Sequence, residues 1–306
     1  MIVLNMKPKD PVMSWSEFCE KIGPYSIAID GYVAAGPRFD ANGPRANFNH
    51  HEEVDRLATR ATCAQGLIAI RQGLFDCFSD DSGRLQATVY ANDCDEDVCT
   101  SWFLLCNPVL SASTVNPILN RLVSVEELMD ATAGAYPIPP NSQILQELAW
   151  IFEPYRRFRV SGEIDKREED AFRGIVTDVG ERIMQYIVGR GRSIPLDVSY
   201  NVIGGGPGWT MVQETGTNAR TGMFANGIRA YVAVRERPNN RYSYTVGRMS
   251  QFIPFDVPRI LQILDAAKGN TDEHWGGGNT IGGSSRANGS KFTPQEVQSL
   301  INNFLK

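Results

Sequence analysis

The sequence predicts an α/β protein: a mostly parallel sheet with flanking helices, a helical connector, and a smaller α+β domain towards the C-terminus. Three observations predict it. Strand, loop and helix patterns follow one another twice before residue 110, the mark of βαβ units with right-handed crossovers. The middle of the chain is helical and charged. Beyond Pro195 the composition shifts to β-rich runs separated by turn signals. The length of 306 residues is about twice that of a usual domain, and the shifts set boundaries at 1–140, 141–194 and 195–306.

The elements follow in order. Ser14–Ile22 reads as a short helix, with Ser14 as cap, Trp15, Phe18 and Ile22 on one face, and Gly23-Pro24 to end it. Ser26–Ile29 is a short buried strand that ends at Asp30. Residues 31–47 are rich in Gly, Pro, Asn and Ala and read as loop. Leu57–Phe78 is helical, Arg84–Tyr90 alternates as a strand does, and Asp97–Cys106 is the helix after an acidic cluster. Gln143–Phe158 and Lys166–Gly189 carry helical periodicity. Their charges, including Lys166-Arg167-Glu168-Glu169-Asp170, read as solvated faces. Trp209–Glu214, Ile228–Glu236 and Arg241–Met249 are strands, with a turn at Pro238-Asn239-Asn240. Gly204–Gly208 reads as a hinge or turn. Val257–Lys268 is a helix, residues 276–289 form a Gly-rich loop, and Thr293–Phe304 is a helix capped by Thr293 with Glu296 three residues on.

Composition narrows the function. Thirty Lys and Arg against 35 Asp and Glu give a net charge of −5, which provides no general grip on a long nucleic-acid duplex. No run of 18 apolar residues is present, so no membrane span is expected, and the first residues lack the pattern of a signal peptide. The six cysteines contain no Cys-x-x-Cys pair and read mainly as small apolar residues. The expectation is a cytoplasmic protein. The oligomeric state is left open, a homodimer being compatible with the sequence.

Three features carry chemistry. The chain has only three histidines, and two are adjacent, His50-His51 after Asn47-Phe48-Asn49. At a strand end, one can hold a metal while the other faces a substrate. Asn92-Asp93-Cys94-Asp95-Glu96-Asp97 lies between a strand and a helix, where α/β sheets bind ligands. Acids in a first turn stabilise the helix dipole, but four in five residues exceed what capping needs. Close carboxylates repel unless a cation neutralises them, and carboxylate with imidazole suits Mn²⁺, with Mg²⁺ the second candidate. The third feature is Asp30, alone at the end of an apolar strand.

Together these features resemble the DHH phosphoesterase family. Asp95-Glu96-Asp97-Val98-Cys99-Thr100-Ser101 is similar to the family's Asp-x-Asp-x-x-x-Ser pattern. Asn49-His50-His51 is similar to the Asp-His-His signature with Asn in first place, Asp30 to the isolated strand-end Asp, and Asp130 before Ala131-Thr132-Ala133-Gly134 to the fourth motif. Arg241–Arg248, then Phe255-Asp256-Val257 and Gly276-Gly277-Gly278-Asn279, resembles the C-terminal domain associated with the family, whose Gly-Gly-Gly-His loop binds substrate phosphate. Three positions depart from the pattern: Ala91 where the family has a metal-binding His, for which Asn92 or Asp93 could substitute, Asn49 for Asp, and Asn279 for His. The Asp-x-Asp motif also follows the His pair instead of preceding it.

The resemblance implies a two-domain, divalent-metal-dependent phosphoesterase with two ions, Mn²⁺ first. Its substrate would be a small phosphoester: a nucleotide, a cyclic dinucleotide or a very short oligonucleotide. It implies Asp30, His50, Asp95, Asp97 and Asp130 as metal ligands, with Asp30 bridging, and His51 and Asp95 as catalytic residues. Arg248, Gly277, Gly278, Asn279 and Arg286 would bind substrate. Asn49 or a carboxylate would accept the proton of the metal-bound histidine's second nitrogen. Asp30, His50, Asp95 and Asp97 are expected at neighbouring strand ends, with the loop 276–286 facing them. The alternative is a catalytically reduced, nucleotide-binding or regulatory protein on the same scaffold. A pyrophosphatase or polyphosphatase is the third reading, and the Gly-rich loop weighs against it.

Overall fold

A computed structural model describes residues 1–269, 273–285 and 288–305. The chain forms two compact units. Met1–Ala133 with Gln143–Ile194 make the first, and Gly134–Ser142 with Pro195–Lys306 make the second. The helices between residues 143 and 194 thus group with the first unit.

In the first unit, β1 (Ile2–Met6), α1 (Trp15–Lys21), β2 (Ser26–Ile29), β3 (Arg38–Asp40), β4 (Arg45–Phe48), α2 (Thr62–Arg71), α3 (Leu74–Cys77), β5 (Ala87–Ala91) and α4 (Glu96–Cys106) follow in order. After them come α5 (Pro108–Ala112), α6 (Pro117–Ala131), α7 (Gln143–Ile151), α8 (Glu153–Val160) and α9 (Glu169–Ile187). The sheet runs β1-β5-β2-β4-β3. The first four strands are parallel to their neighbours and β3 joins antiparallel, so the sheet is mixed.

Local chemistry explains most elements. Ser14 and Glu17 form a reciprocal capping box on α1. All four residues of β2 are buried, as in a strand covered on both faces. In α9, Phe172, Val176, Val179, Ile183 and Tyr186 are buried at helical spacing. Phe18 of α1 packs edge-on against Tyr90 of β5 at 5.7 Å and Tyr32 at 6.3 Å.

Several expectations change. Residues 31–47 are not one loop, because they contain β3 and most of β4. The polar Asn47 sits in a buried strand because its amide donates to the Ala35 and Gly36 carbonyls at 2.7 and 3.1 Å, a partnership that composition cannot reveal. The helix expected over 57–78 starts only at Thr62 and is cut at Gly73, whose φ of +95° is left-handed. β1 carries no strong sequence signal of its own and forms by parallel pairing with β5.

The second unit contains β6 (Tyr200–Gly206), β7 (Trp209–Glu214), α10 (Ala219–Ala225), β8 (Ala230–Arg237), β9 (Arg241–Arg248), α11 (Val257–Ala267), β10 (Gly276–Gly277), β11 (Ile281–Gly283) and α12 (Pro294–Phe304). Its sheet runs β10-β11-β9-β8-β7-β6 and is also mixed, with β7–β8 parallel and the other pairs antiparallel. Trp209, Val232, Val246, Phe255, Leu261 and Val297 lie in its main core. Gly204–Gly206 is not a hinge. It is the end of β6, bulged after Val202 and paired with β7. The Gly-rich stretch is partly the hairpin β10–β11. At Gly277, a Cβ would fall 2.2 Å from the Gly282 Cα, so the two short strands can approach only because both lack side chains.

Candidate metal centre

β5, β2 and β4 are adjacent and parallel, so their C-terminal ends share one edge of the first sheet. Asp30 follows β2, Asn49-His50-His51 follows β4, and residues 92–95 follow β5 into α4. The sheet order sets β2 between β5 and β4, so loops far apart in sequence emerge side by side. Asp130 comes from the last turn of α6. Asp30 has φ of +48°, a conformation costly for most side chains but tolerated by Asp. Its N–H donates to the Phe48 carbonyl at 2.9 Å, which ties the ends of β2 and β4 together.

His50 is the centre of the cluster and is fully buried. Its Nε2 lies 2.8 Å from Asp130 Oδ2, 3.5 Å from Asp30 Oδ1 and 3.8 Å from Asp97 Oδ2. Yet neither ring nitrogen has a hydrogen-bond partner of acceptable geometry, and neither does Asp130 Oδ2. The 2.8 Å approach does not have hydrogen-bond geometry, so imidazole and carboxylates lie close together without satisfying one another. His51, more exposed, places Nε2 2.8 Å from Asp30 Oδ1, and the two imidazole rings are 4.4 Å apart. Ligand atoms of Asp30, His50 and His51 lie within 4.8 Å of one another, and so do those of His50, Asp97 and Asp130.

The carboxylates have different supports. Asp97 accepts the Thr62 and Cys63 N–H groups, each at 2.7 Å, and thereby caps α2, whose own N-cap Ala61 has no capping side chain. Burial, and then the charges of Asp30 and Asp130, push its pKa up to about 7. Burial also acts to raise Asp30, but the imidazoles of His50 and His51 beside it outweigh that and hold Asp30 below the usual carboxylate range. Burial lowers the basicity of His50, but the close carboxylates of Asp130 and Asp30 carry its pKa up to about 9. Asp130 is held by Arg56, which donates to its carbonyl at 2.9 Å and to Oδ1 at 3.2 Å.

The expected residues divide. Asp30, His50, His51, Asp97 and Asp130 come together. Asp95 caps α4, accepting the Val98 N–H at 2.9 Å, and its carboxylate belongs to neither close group. Burial and the charges of Asp30, Asp93 and Asp130 raise its pKa well above the ordinary value. Ala91 is a buried strand residue paired with Met6. Of the two residues that could replace the missing family histidine, Asp93 accepts the Cys94 N–H at 2.7 Å. Asn49 does not orient His50. Its amide donates to Val33 and Ala35 carbonyls at 3.1 and 2.9 Å and its Oδ1 accepts the His51 N–H, while His50 Nδ1 stays unpartnered.

In the second unit, Arg248 donates to the Asn279 carbonyl at 3.0 Å, to Asn279 Oδ1 at 2.6 Å and to the Ile253 carbonyl at 3.1 Å. These bonds tie its guanidinium to the turn after β10. Gly277 ends β10, and Gly278 donates to the Ile281 carbonyl at 2.8 Å. Arg286 lies outside the described residues.

Sequence reasoning missed Arg56, Thr62 and Glu126. Thr62 Oγ1 donates to Asp30 Oδ1 at 3.2 Å. Glu126 is buried one turn before Asp130 with Oε2 unpartnered, and burial with the charges of Glu96, Asp130 and Asp97 keeps it protonated well above the usual range. The four-residue spacing of Glu126 and Asp130 on one helix was the one available signal.

The donor set fits a divalent cation: one partnerless imidazole nitrogen and carboxylate oxygens from three other segments, in a cluster whose acids repel without a counter-charge. No family model matches the chain, and no curated protein matches it in sequence.

Proposed function

We propose that this protein is a divalent-metal-dependent phosphoesterase of the DHH type, acting on a small phosphoester such as a nucleotide, a cyclic dinucleotide or a very short oligonucleotide. One observation carries the reading: His50 Nε2 lies within 3.8 Å of carboxylates from Asp30, Asp97 and Asp130 without a hydrogen-bond partner, at the carboxyl edge of adjacent parallel strands. In this reading Asp30, His50, Asp97 and Asp130 would hold Mn²⁺ or Mg²⁺, and Asp30 with the histidine pair would be the donors available to a second ion. When bound, such ions supply positive charge to a phosphoryl oxygen and lower the pKa of water.

The chain's own residues do the rest. Asp30 orients the His51 ring through Nε2, which leaves Nδ1 to face substrate and neutralise charge on the departing oxygen. Arg56 fixes Asp130, and the α2 amides fix Asp97. Asp95 is the second catalytic candidate, since its raised pKa lets it carry a proton. The reading includes a cytoplasmic setting, which six free thiols suit. Among the described residues no helix is long and apolar enough to cross a membrane.

The test is Mn²⁺ stoichiometry together with phosphate release from a panel of nucleotides and short oligonucleotides, with and without chelator. Turnover that chelator abolishes supports the enzyme. The alternative, a nucleotide-binding or regulatory protein, is favoured by the buried Ala91 at a family ligand position. It predicts nucleotide binding with one ion or none and no release.

A further inference from the structure

Thr62 opens α2 and is fully buried, and its polar atoms reach three separate segments of the metal centre. Its backbone N–H donates to Asp97 Oδ2 at 2.7 Å, in the first turn of α4. Its Oγ1 donates to Asp30 Oδ1 at 3.2 Å, just beyond β2, with the Phe48 carbonyl 3.4 Å away. Phe48 ends β4, and its carbonyl also accepts the Asp30 N–H at 2.9 Å. The two carboxylate oxygens that Thr62 holds are the same two that approach His50 Nε2, at 3.5 Å for Asp30 and 3.8 Å for Asp97. One turn along α2, Gln65 Nε2 donates to the carbonyl of Asn49, the residue before His50, at 2.9 Å.

The hydroxyl has a particular consequence for Asp30. It bonds Oδ1, which also lies 2.8 Å from His51 Nε2, while among the described residues Oδ2 accepts no hydrogen bond. The terminal torsion of an Asp side chain is soft, so a carboxylate anchored at one oxygen gains a fixed direction for the other. Thr62 is itself stiff: its branched Cβ restricts χ1, and its N–H is held by Asp97. Helix formation does not ask for this hydroxyl. Threonine is a modest helix former, and the capping of α2 comes from Asp97 instead of from a local side chain. A buried hydroxyl is costly unless it is bonded, and the bond it makes here is to the cluster.

We propose that Thr62 is a positioning residue of the metal centre: its hydroxyl fixes the Asp30 carboxylate relative to Asp97 and His50 and so sets the affinity of the centre for a divalent ion. This rests on the metal part of the phosphoesterase reading.

The test is Mn²⁺ titration of the chelator-stripped, full-length protein, followed by calorimetry and by the electron paramagnetic resonance spectrum of the bound ion, for wild type, T62V and T62S. Valine keeps the shape and the backbone N–H to Asp97 but loses the hydroxyl, and serine keeps the hydroxyl. T62V should bind Mn²⁺ roughly 10–100-fold more weakly, the range for removing a group that orients a metal ligand, with an altered spectrum. T62S should recover most of the affinity and the wild-type spectrum. Melting in chelator shows whether each variant is folded, and if T62V is not, T62A takes its place under the same criteria. Wild-type affinity and spectrum in the variant without the hydroxyl overturn the proposal. So does a loss in T62S equal to that in T62V, because packing and not the hydroxyl would then be responsible. A wild type that binds no Mn²⁺ overturns it together with the metal reading. If wild type binds Mn²⁺ and T62V loses it, but wild type releases no phosphate from the nucleotide panel, the phosphoesterase reading fails and the role of Thr62 stands.

Discussion

The carboxylate of Asp97 on α4 accepts the backbone N–H of Thr62 at the start of α2, 2.7 Å away, and the next N–H as well. A side chain that faces His50 is thus also the cap of another helix. Asp97→Ala removes the cap and a carboxylate of the cluster together. Loss of a cap of this kind costs about 1–2 kcal/mol, so the variant should melt at lower temperature even with chelator present. Asp97→Asn keeps one acceptor oxygen and should recover part of that stability without recovering metal. Calorimetric melting with and without Mn²⁺ separates the two roles.

His50 and His51 should fail differently. His50→Ala removes the buried nitrogen at the centre of the cluster, so metal occupancy and turnover should fall together. His51→Ala should leave metal bound and lower turnover by roughly 10²–10⁴-fold, the range for a residue that moves a proton or neutralises charge in the transition state. Metal analysis on both purified variants decides the matter, and equal metal loss in both would contradict it.

Chelator-treated protein should become less stable as pH rises from about 4 to about 9. Asp97 has a folded pKa near 7, above its ordinary 3.8, so across that interval the unfolded state ionises while the folded state resists. His50, raised from 6.5 to about 9, gives stability that is complete below 6.5 and lost as pH passes its folded value. Both contributions have the same sign. Bound Mn²⁺ should flatten the profile, because it replaces the proton as counter-charge, and its binding should release protons. Urea unfolding across pH, with and without Mn²⁺, reads the difference.

Asn49→Asp would give the sequence an Asp-His-His run but should damage the fold. The Asn49 amide donates to the carbonyls of Val33 and Ala35 in a buried site, and an ionised carboxylate cannot donate. Unsatisfied buried acceptors cost about 1–3 kcal/mol. The expected result is a destabilised variant with no gain in metal affinity, measured by denaturant midpoint and Mn²⁺ titration.

Much of this was written locally in the sequence. The capping boxes at Ser14 and Thr293, the apolar run Ser26–Ile29, the alternation before Tyr90 and the helical stripe from Phe172 to Tyr186 each encode an element through contacts within a few residues. The same holds for Asp30, His50 and Asp97 as strand-end and helix-start residues of a chemistry-bearing type. The rest depends on partners distant in the chain. β4 exists because Asn47 finds carbonyls across a turn, Asp130 joins the cluster because α6 ends against His50, and Asp95 turns to its own helix while Asp97 turns to another. Arg248, similar to a phosphate ligand in sequence, is bound to its own loop. Backbone propensity and capping act over one turn and are legible residue by residue. Which polar group satisfies which is decided only when strand order brings separate segments to one edge.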